Sequence, residues 1–154
     1  MTMATVQKFG LKDFLQTVEK ERSYGMYVTG LVIRKGTDAP AVVDIAKEVR
    51  GAVVVQITRD VADADILAAF REAFEKRQWL VIHLADGSLP PLWREQLSRL
   101  RDSNSIFVQG KTATDTFFAE QSGDTRVIAV IDEQHLDSVE YPSFLNLFGP
   151  VAEL

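Results

Sequence analysis

Residues 77–97 read RQWLVIHLADGSLPPLWREQL. Residues 79–84 form a mostly apolar run of strand length. The run stops at Ala85-Asp86-Gly87, and Pro90 and Pro91 then open a segment that carries Trp93. A buried strand that ends on a polar corner, followed by a helix with proline in its first turn, is a unit of α/β proteins; the proline's missing N–H costs nothing there. Ligands in such proteins gather at the carboxyl ends of the strands. His83 to Ser88 are therefore the first residues to question.

The same alternation extends on both sides. Residues 9–21 predict an amphipathic helix, with Leu11, Phe14, Leu15 and Val18 at helical spacing. MYVTGLVI (26–33) is an apolar, β-branched first strand, and RKGTD leads out of it. Asp38 is the expected N-cap of a helix over 39–50, which Gly51 ends. AVVVQIT (52–58) reads as a second buried strand. Asp63 or Asp65 is the expected cap of the next helix, whose Leu67, Phe70 and Phe74 share a face. Residues 79–84 are the third strand and 90–101 a fourth helix. SIFVQG (105–110) is ambiguous. TRVIAVID (125–132) is a fourth strand, and SFLNLF (143–148) a final helical turn. Strands this uniformly apolar are covered on both faces. Strands separated by helices imply right-handed crossovers and a parallel sheet. The expected fold is α/β, a three-layer sandwich with a mainly parallel sheet. It is read as one domain over 1–154, with an N-terminal helix in 1–24, a core in 25–135 and a C-terminal segment in 136–154.

Composition narrows the function. The chain of 154 residues carries 17 basic and 22 acidic residues, a net charge of −5, which disfavours nucleic acid and anionic membranes as partners. With no cysteine, disulfides, thiolate metal sites and a cysteine nucleophile are excluded. No apolar run approaches the roughly 18–20 residues that cross a bilayer. The first residues lack a secretory apolar region, so a cytoplasmic location is the expectation.

Three stretches invite a chemical reading. Gly110-Lys111-Thr112 resembles the end of a phosphate loop, but that loop needs a glycine five residues earlier to curl its N–H groups round the phosphates, and Ser105 stands there. IRKGTDAP follows the first strand, where a phosphate loop belongs. Lys35, Gly36 and Thr37 at a helix N-terminus would attract an anion; a simple capped turn is the plainer reading. At the third strand's end, VIHLAD offers His83 and Asp86 where a nucleotide hydrolase keeps an acidic pair, but no glutamate adjoins Asp86. His135 and Asp132, after and at the end of the fourth strand, could converge with them. DGSLP does not supply the G-x-S-x-G elbow of a serine hydrolase. Trp79 and Trp93 read as core packing. The candidate ligand-binding set is Lys35, Gly36, Thr37, His83, Asp86 and Asp132. No catalytic residue, metal or cofactor is expected.

In order and spacing, residues 27–132 resemble a AAA+ P-loop-type domain. They look most like the degenerate sixth AAA module of dynein heavy chains. The shared marks are a first strand running into Lys35-Gly36-Thr37-Asp38-Ala39-Pro40 without a phosphate loop, a helix ending just before a Trp-led strand (FREAFEKRQWLVIHL), and a second tryptophan, Trp93, opening the next helix. RVIAVID and YPSFLNLF would complete the module. There are departures. Leu84 stands where the family has asparagine, the corner between the tryptophans is two residues longer, and the proline after Asp38 is one residue late. Leu147 stands where the family's Phe-Leu-Asn-Arg-Phe segment carries an arginine finger, and 103–123 has no counterpart. The resemblance implies a P-loop-type sheet, with the first strand beside the fourth, the third next and the second at the edge. It also implies a structural or protein-binding unit that does not hydrolyse ATP, with another protein as partner and an association with the cytoskeleton. The alternative is a small nucleotide- or phosphate-binding enzyme using Lys35, Thr37, His83, Asp86 and Asp132. A receiver- or flavodoxin-like domain would need acidic residues after the first strand, which IRKGT and MYVTG do not supply.

Overall fold

Apolar strands separated by helices cannot fold back on each other as tight hairpins; they pair in parallel with strands brought from elsewhere in the chain. The computed structural model describes residues 10–154 apart from 24–25, 37–38, 50, 114–115, 123 and 140–143. The chain runs through α1 (Leu11–Lys20), β1 (Arg22–Ser23), β2 (Met26–Tyr27), β3 (Gly30–Arg34), α2 (Val42–Lys47), β4 (Val53–Ile57), α3 (Asp63–Glu75) and β5 (Leu80–Leu84). It continues through α4 (Pro91–Ser103), β6 (Ser105–Val108), β7 (Phe117–Glu120) and β8 (Val127–Asp132). Two 3-10 turns, Glu133–Ser138 and Phe144–Leu147, precede β9 (Val151–Glu153). Five strands form one sheet in the order β4-β5-β8-β3-β9, and every pairing in it is parallel. β1 with β2, and β6 with β7, form two separate antiparallel pairs.

Alternation along the strands splits the core into two faces. Leu31, Ile33, Leu80, Ile82, Leu84, Ala129 and Ile131 pack under α3, α4 and the β6–β7 pair. Val32, Val81, Ile128, Val130 and Ala152 pack under α1 and α2. The protein is therefore α/β, with a parallel sheet flanked by helices. Trp93 is buried and stacks on Phe70, ring centroids 5.0 Å apart. Its indole Nε1 donates to Asp63 Oδ1 at 3.1 Å.

The structure corrects several local expectations. Residues 26–33 are two strands, not one, because the Thr29 carbonyl accepts the Gly149 N–H at 2.8 Å instead of joining a ladder. α2 has six residues and Ala41 as its N-cap, so residue 38, itself outside the described residues, is not the cap. Pro40 disfavours a helical residue 39 and delays the start. Asp63 and Asp65 stand in the first turn of α3 behind the N-cap Ala62. There they favour the positive end of the helix dipole, and Asp63 is committed to Trp93. β4 is not buried on both faces. It is the sheet's edge, with Val54 47% exposed. β9 lies beyond the helical turn expected over 143–148 and supplies a fifth strand to the sheet. No helix among the described residues is long and apolar enough to cross a membrane.

α1 is seated directly on β3. A Cβ at Gly30 would come within 2.6 Å of both Phe14 Cζ and Val18 Cγ2. These two side chains are fully buried, so neither can swing away. Gly30→Ala is expected to cost about 1–3 kcal/mol by overpacking, read as a lower urea midpoint at unchanged slope.

Candidate functional site

The carboxyl ends of the five parallel strands lie along one rim. β3 and β8 are in register there, with Arg34 opposite Asp132. Arg34 Nη1 donates to Asp132 Oδ1 at 2.9 Å, with about a quarter of each side chain exposed. One residue on, the Lys35 N–H donates to the Leu154 carbonyl at 2.7 Å, and Leu154 N–H donates back to Ile33 at 2.9 Å. Lys35 Nζ lies 2.8 Å from Glu153 Oε2 and 4.0 Å from Glu133 Oε1. The hydrogen bond to Glu153 holds the Lys35 ammonium above its ordinary pKa. Gly36 turns the chain at φ +67°, with open space where a Cβ would stand. Thr37 lies outside the described residues.

His83 points to the same face as Val81, because side chains alternate along β5. It is half-buried, and its Nε2 is a buried atom with no hydrogen-bond partner among the described residues. Arg34 Nε is in the same condition. Burial pushes the His83 imidazole below its usual pKa; the Asp132 charge opposes this, and Arg34 and His135 add to it. His83, Arg34 and Asp132 thus form one electrostatic cluster.

Asp86 belongs to another part of the rim. Its Oδ2 accepts the Arg59 N–H at 2.9 Å and its Oδ1 accepts the Ser88 N–H at 2.9 Å. The carboxylate clasps the loop after β4 to the loop after β5. Burial raises its pKa, but the Arg59 and Ser88 amides outweigh that and hold it below the usual carboxylate range. Both oxygens serve the loops.

The six candidates therefore do not make one constellation. Lys35 and Asp132 join ion pairs, His83 sits beside Asp132, and Asp86 is a loop clasp. Among the described residues no group of three or more histidines and carboxylates could hold a metal ion, so His83, His135, Asp86 and Asp132 do not converge on one. Gly110-Lys111-Thr112 joins two antiparallel strands rather than a strand to a helix, and the Gly110 N–H already donates to Thr116 Oγ1 at 3.1 Å. Leu147 is buried in the core. The sequence reading misses Glu153, which carries no signal beyond a single acidic residue; Glu133 and Arg59 stand among the strand-end residues it points to but fall outside the candidate set, Arg59 because it acts through a backbone amide.

A groove of about 740 Å³ opens at the opposite, amino end of the strands. Leu15, Val49 and Trp79 form its apolar wall, with Lys12, Arg77, Glu48 and Asp124 among the charged residues round it. Trp79 is thus only half a core residue. No model of a known protein family matches the chain, and no curated protein matches it.

Two outcomes follow from this geometry. Asp86→Ala strands the Arg59 and Ser88 amides and is expected to cost about 1–2 kcal/mol in chemical denaturation, with Asp86→Asn losing less. For His83, the folded-state pKa lies below the unfolded one, so the unfolded chain binds the proton first. Its stabilising contribution is complete above about pH 6.5 and declines as pH falls toward the folded-state pKa. His83→Gln should flatten the fall in urea midpoint between pH 7.5 and 5.5.

Proposed function

We propose that this chain is a non-catalytic α/β unit of degenerate AAA+ P-loop type, acting through protein contacts and not through ATP hydrolysis. The observation that carries the reading is the state of the loop after β3. A phosphate loop offers free backbone N–H groups, unpaired cations and a helix N-terminus. Here the Lys35 N–H is bonded to Leu154, Arg34 is paired with Asp132 and Lys35 with Glu153. The helix that follows has six residues.

Three other features support it. The first apolar strand, β3, neighbours β8, with β5 next and β4 at the edge, an order that agrees with the one the AAA+ resemblance implies. Asp86, at the corner where a nucleotide hydrolase keeps its acidic pair, is engaged by two loop amides. Leu147 occupies a core position where the family's arginine finger would project.

One observation favours a second reading, a weak anion site. Arg34 Nε and His83 Nε2 are both buried without partners at the same rim, and a phosphate oxygen would satisfy either. Isothermal titration with ATP, ADP and GTP, each with magnesium, separates the two. The non-catalytic reading expects no binding heat at micromolar to millimolar nucleotide and no phosphate release. Micromolar binding with turnover overturns it. Binding abolished by His83→Gln without turnover would favour the anion site.

A further inference from the structure

The two edges of the parallel sheet are unlike. Sheet edges present unpaired N–H and C=O groups, and proteins blunt them with short strands, charges, prolines or bulges. β9 is blunted. It has three residues, one of them Glu153, and Pro150 precedes it. β4 is not. Its five residues are Val53, Val54, Val55, Gln56 and Ile57, without a charge, a proline or a break in the ladder to β5. No described strand pairs with its outer side.

The direction of its backbone groups follows from the inner ladder. The Val53 N–H donates to Trp79 and the Ile57 carbonyl accepts from Ala85. Residues 53, 55 and 57 therefore turn their backbone toward β5, and Val54 and Gln56 turn theirs outward. Val54 and Gln56 are also exposed through their side chains. This edge is complementary to itself. Placed antiparallel to a second β4 about a two-fold axis at Val55, Val54 of each copy exchanges two backbone hydrogen bonds with Gln56 of the other. Val55 then meets Val55, and Val53 meets Ile57, all on the face under α3, where Val53 and Val55 are only partly buried. All four outward groups of each strand are satisfied, and no charge is brought into the contact. Any extended strand offers this backbone spacing, but a second copy also sets uncharged Val55 on Val55 and Val53 on Ile57 by symmetry, covering apolar side chains that are only partly buried in one copy.

We propose that β4 is a dimerisation edge, joining two copies of this chain antiparallel into one continuous sheet. The pairing supplies a partner for the contact-making role proposed above. It fails separately from that role, because nucleotide titration does not read it and self-association does not read nucleotide binding.

Sedimentation equilibrium of the whole chain between about 1 and 100 µM is the first test. Dimer at the upper end is expected. Two copies of net charge −5 repel, so higher salt should tighten the dimer. Val54→Lys with Gln56→Lys brings four cations together across the axis and is expected to raise the dissociation constant at least about tenfold. Both positions are exposed, so circular dichroism should be unchanged. The chain has no cysteine, which lets a single introduced thiol report the register. Val55→Cys should form an intermolecular disulfide, since facing Cα atoms there would be about 4.5 Å apart. Val53→Cys should not, because four residues of offset hold its copies about 13 Å apart. A monomer at every concentration overturns the proposal. So does a dimer that the lysine pair leaves equally tight, or a disulfide that forms at residue 53 and not at residue 55.

Discussion

Everything in this fold waits on the parallel pairing of β3 with β8 and β9. Parallel neighbours are never the next stretch of chain. Gly30 pairs with Ile128 and Leu31 with Val151, so β3, an interior strand of the sheet, is held on both sides by residues from the other end of the sequence. Neither α1 nor α2 has a surface to cover until those ladders exist. Val32 alone offers little, whereas Val32 flanked by Val130 and Ala152 offers a continuous apolar floor. Such long-range ladders must close before they reward the chain, which places this topology among the slower folders. The same pairing sets the chemistry of the rim, because register alone puts Arg34 opposite Asp132 and carries Lys35 to Glu153.

That rim has been neutralised by its own construction. Asp132, Glu133 and Glu153 bring three carboxylates to the two cations of the loop after β3. An arriving phosphate would have to displace Asp132 and Glu153, which already lie within hydrogen-bond distance of the two cations. Surface ion pairs contribute little stability individually, so their importance here is electrostatic: they remove the positive field that draws an anion to a helix N-terminus. The orphaned Arg34 Nε and His83 Nε2 show where the neutralisation is incomplete.

The layered α/β architecture was legible because hydrophobic period and helix starts are local properties. Gly30 to Ile33, residues 53–57, 80–84 and 127–132 were all marked by β-branched apolar runs. β9 was not, since three residues after Gly149-Pro150 are too few for any period to register. Residues 52–58 read as a buried strand because Val53-Val54-Val55 looks the same at an edge as in the centre; only the placement of other strands decides that. Asp63 looked like a cap because aspartate before an apolar run usually is one, yet the Trp93 indole claims its carboxylate. The rim residues followed the same division. His83, Asp86 and Asp132 could be named from strand ends, but whether they meet depends on register and loop path, which the sequence does not carry locally.

The segment 103–123 shows how a stretch without a counterpart can still be integral. Its described residues form the end of α4 and the β6–β7 pair, and Ile106, Val108 and Phe117 are buried in the larger core. Gln96 on α4 accepts the Phe107 N–H through its Oε1 at 2.8 Å, and Arg71 on α3 donates to the Thr116 carbonyl at 3.1 Å. The hairpin therefore acts as a cover over α3 and α4 on the side of the sheet where Trp93 and Phe70 stack. Its outward face is different: Phe118 is 57% exposed, tilted against Phe107 with ring centroids 6.5 Å apart. A hairpin tied to two helices by polar bonds, with its inner residues in the core, holds the exposed Phe118 ring in a fixed position. The amino end of the sheet is fastened by comparable means. Buried Arg126 donates to the Ser122, Thr125 and Glu19 carbonyls and lies 3.7 Å from the Tyr27 ring centroid, with Arg22 on the same ring at 3.8 Å. Polar residues are thus committed to scaffolding at both ends of the strands, Arg34, Asp132 and Asp86 on one rim and Arg126 on the other.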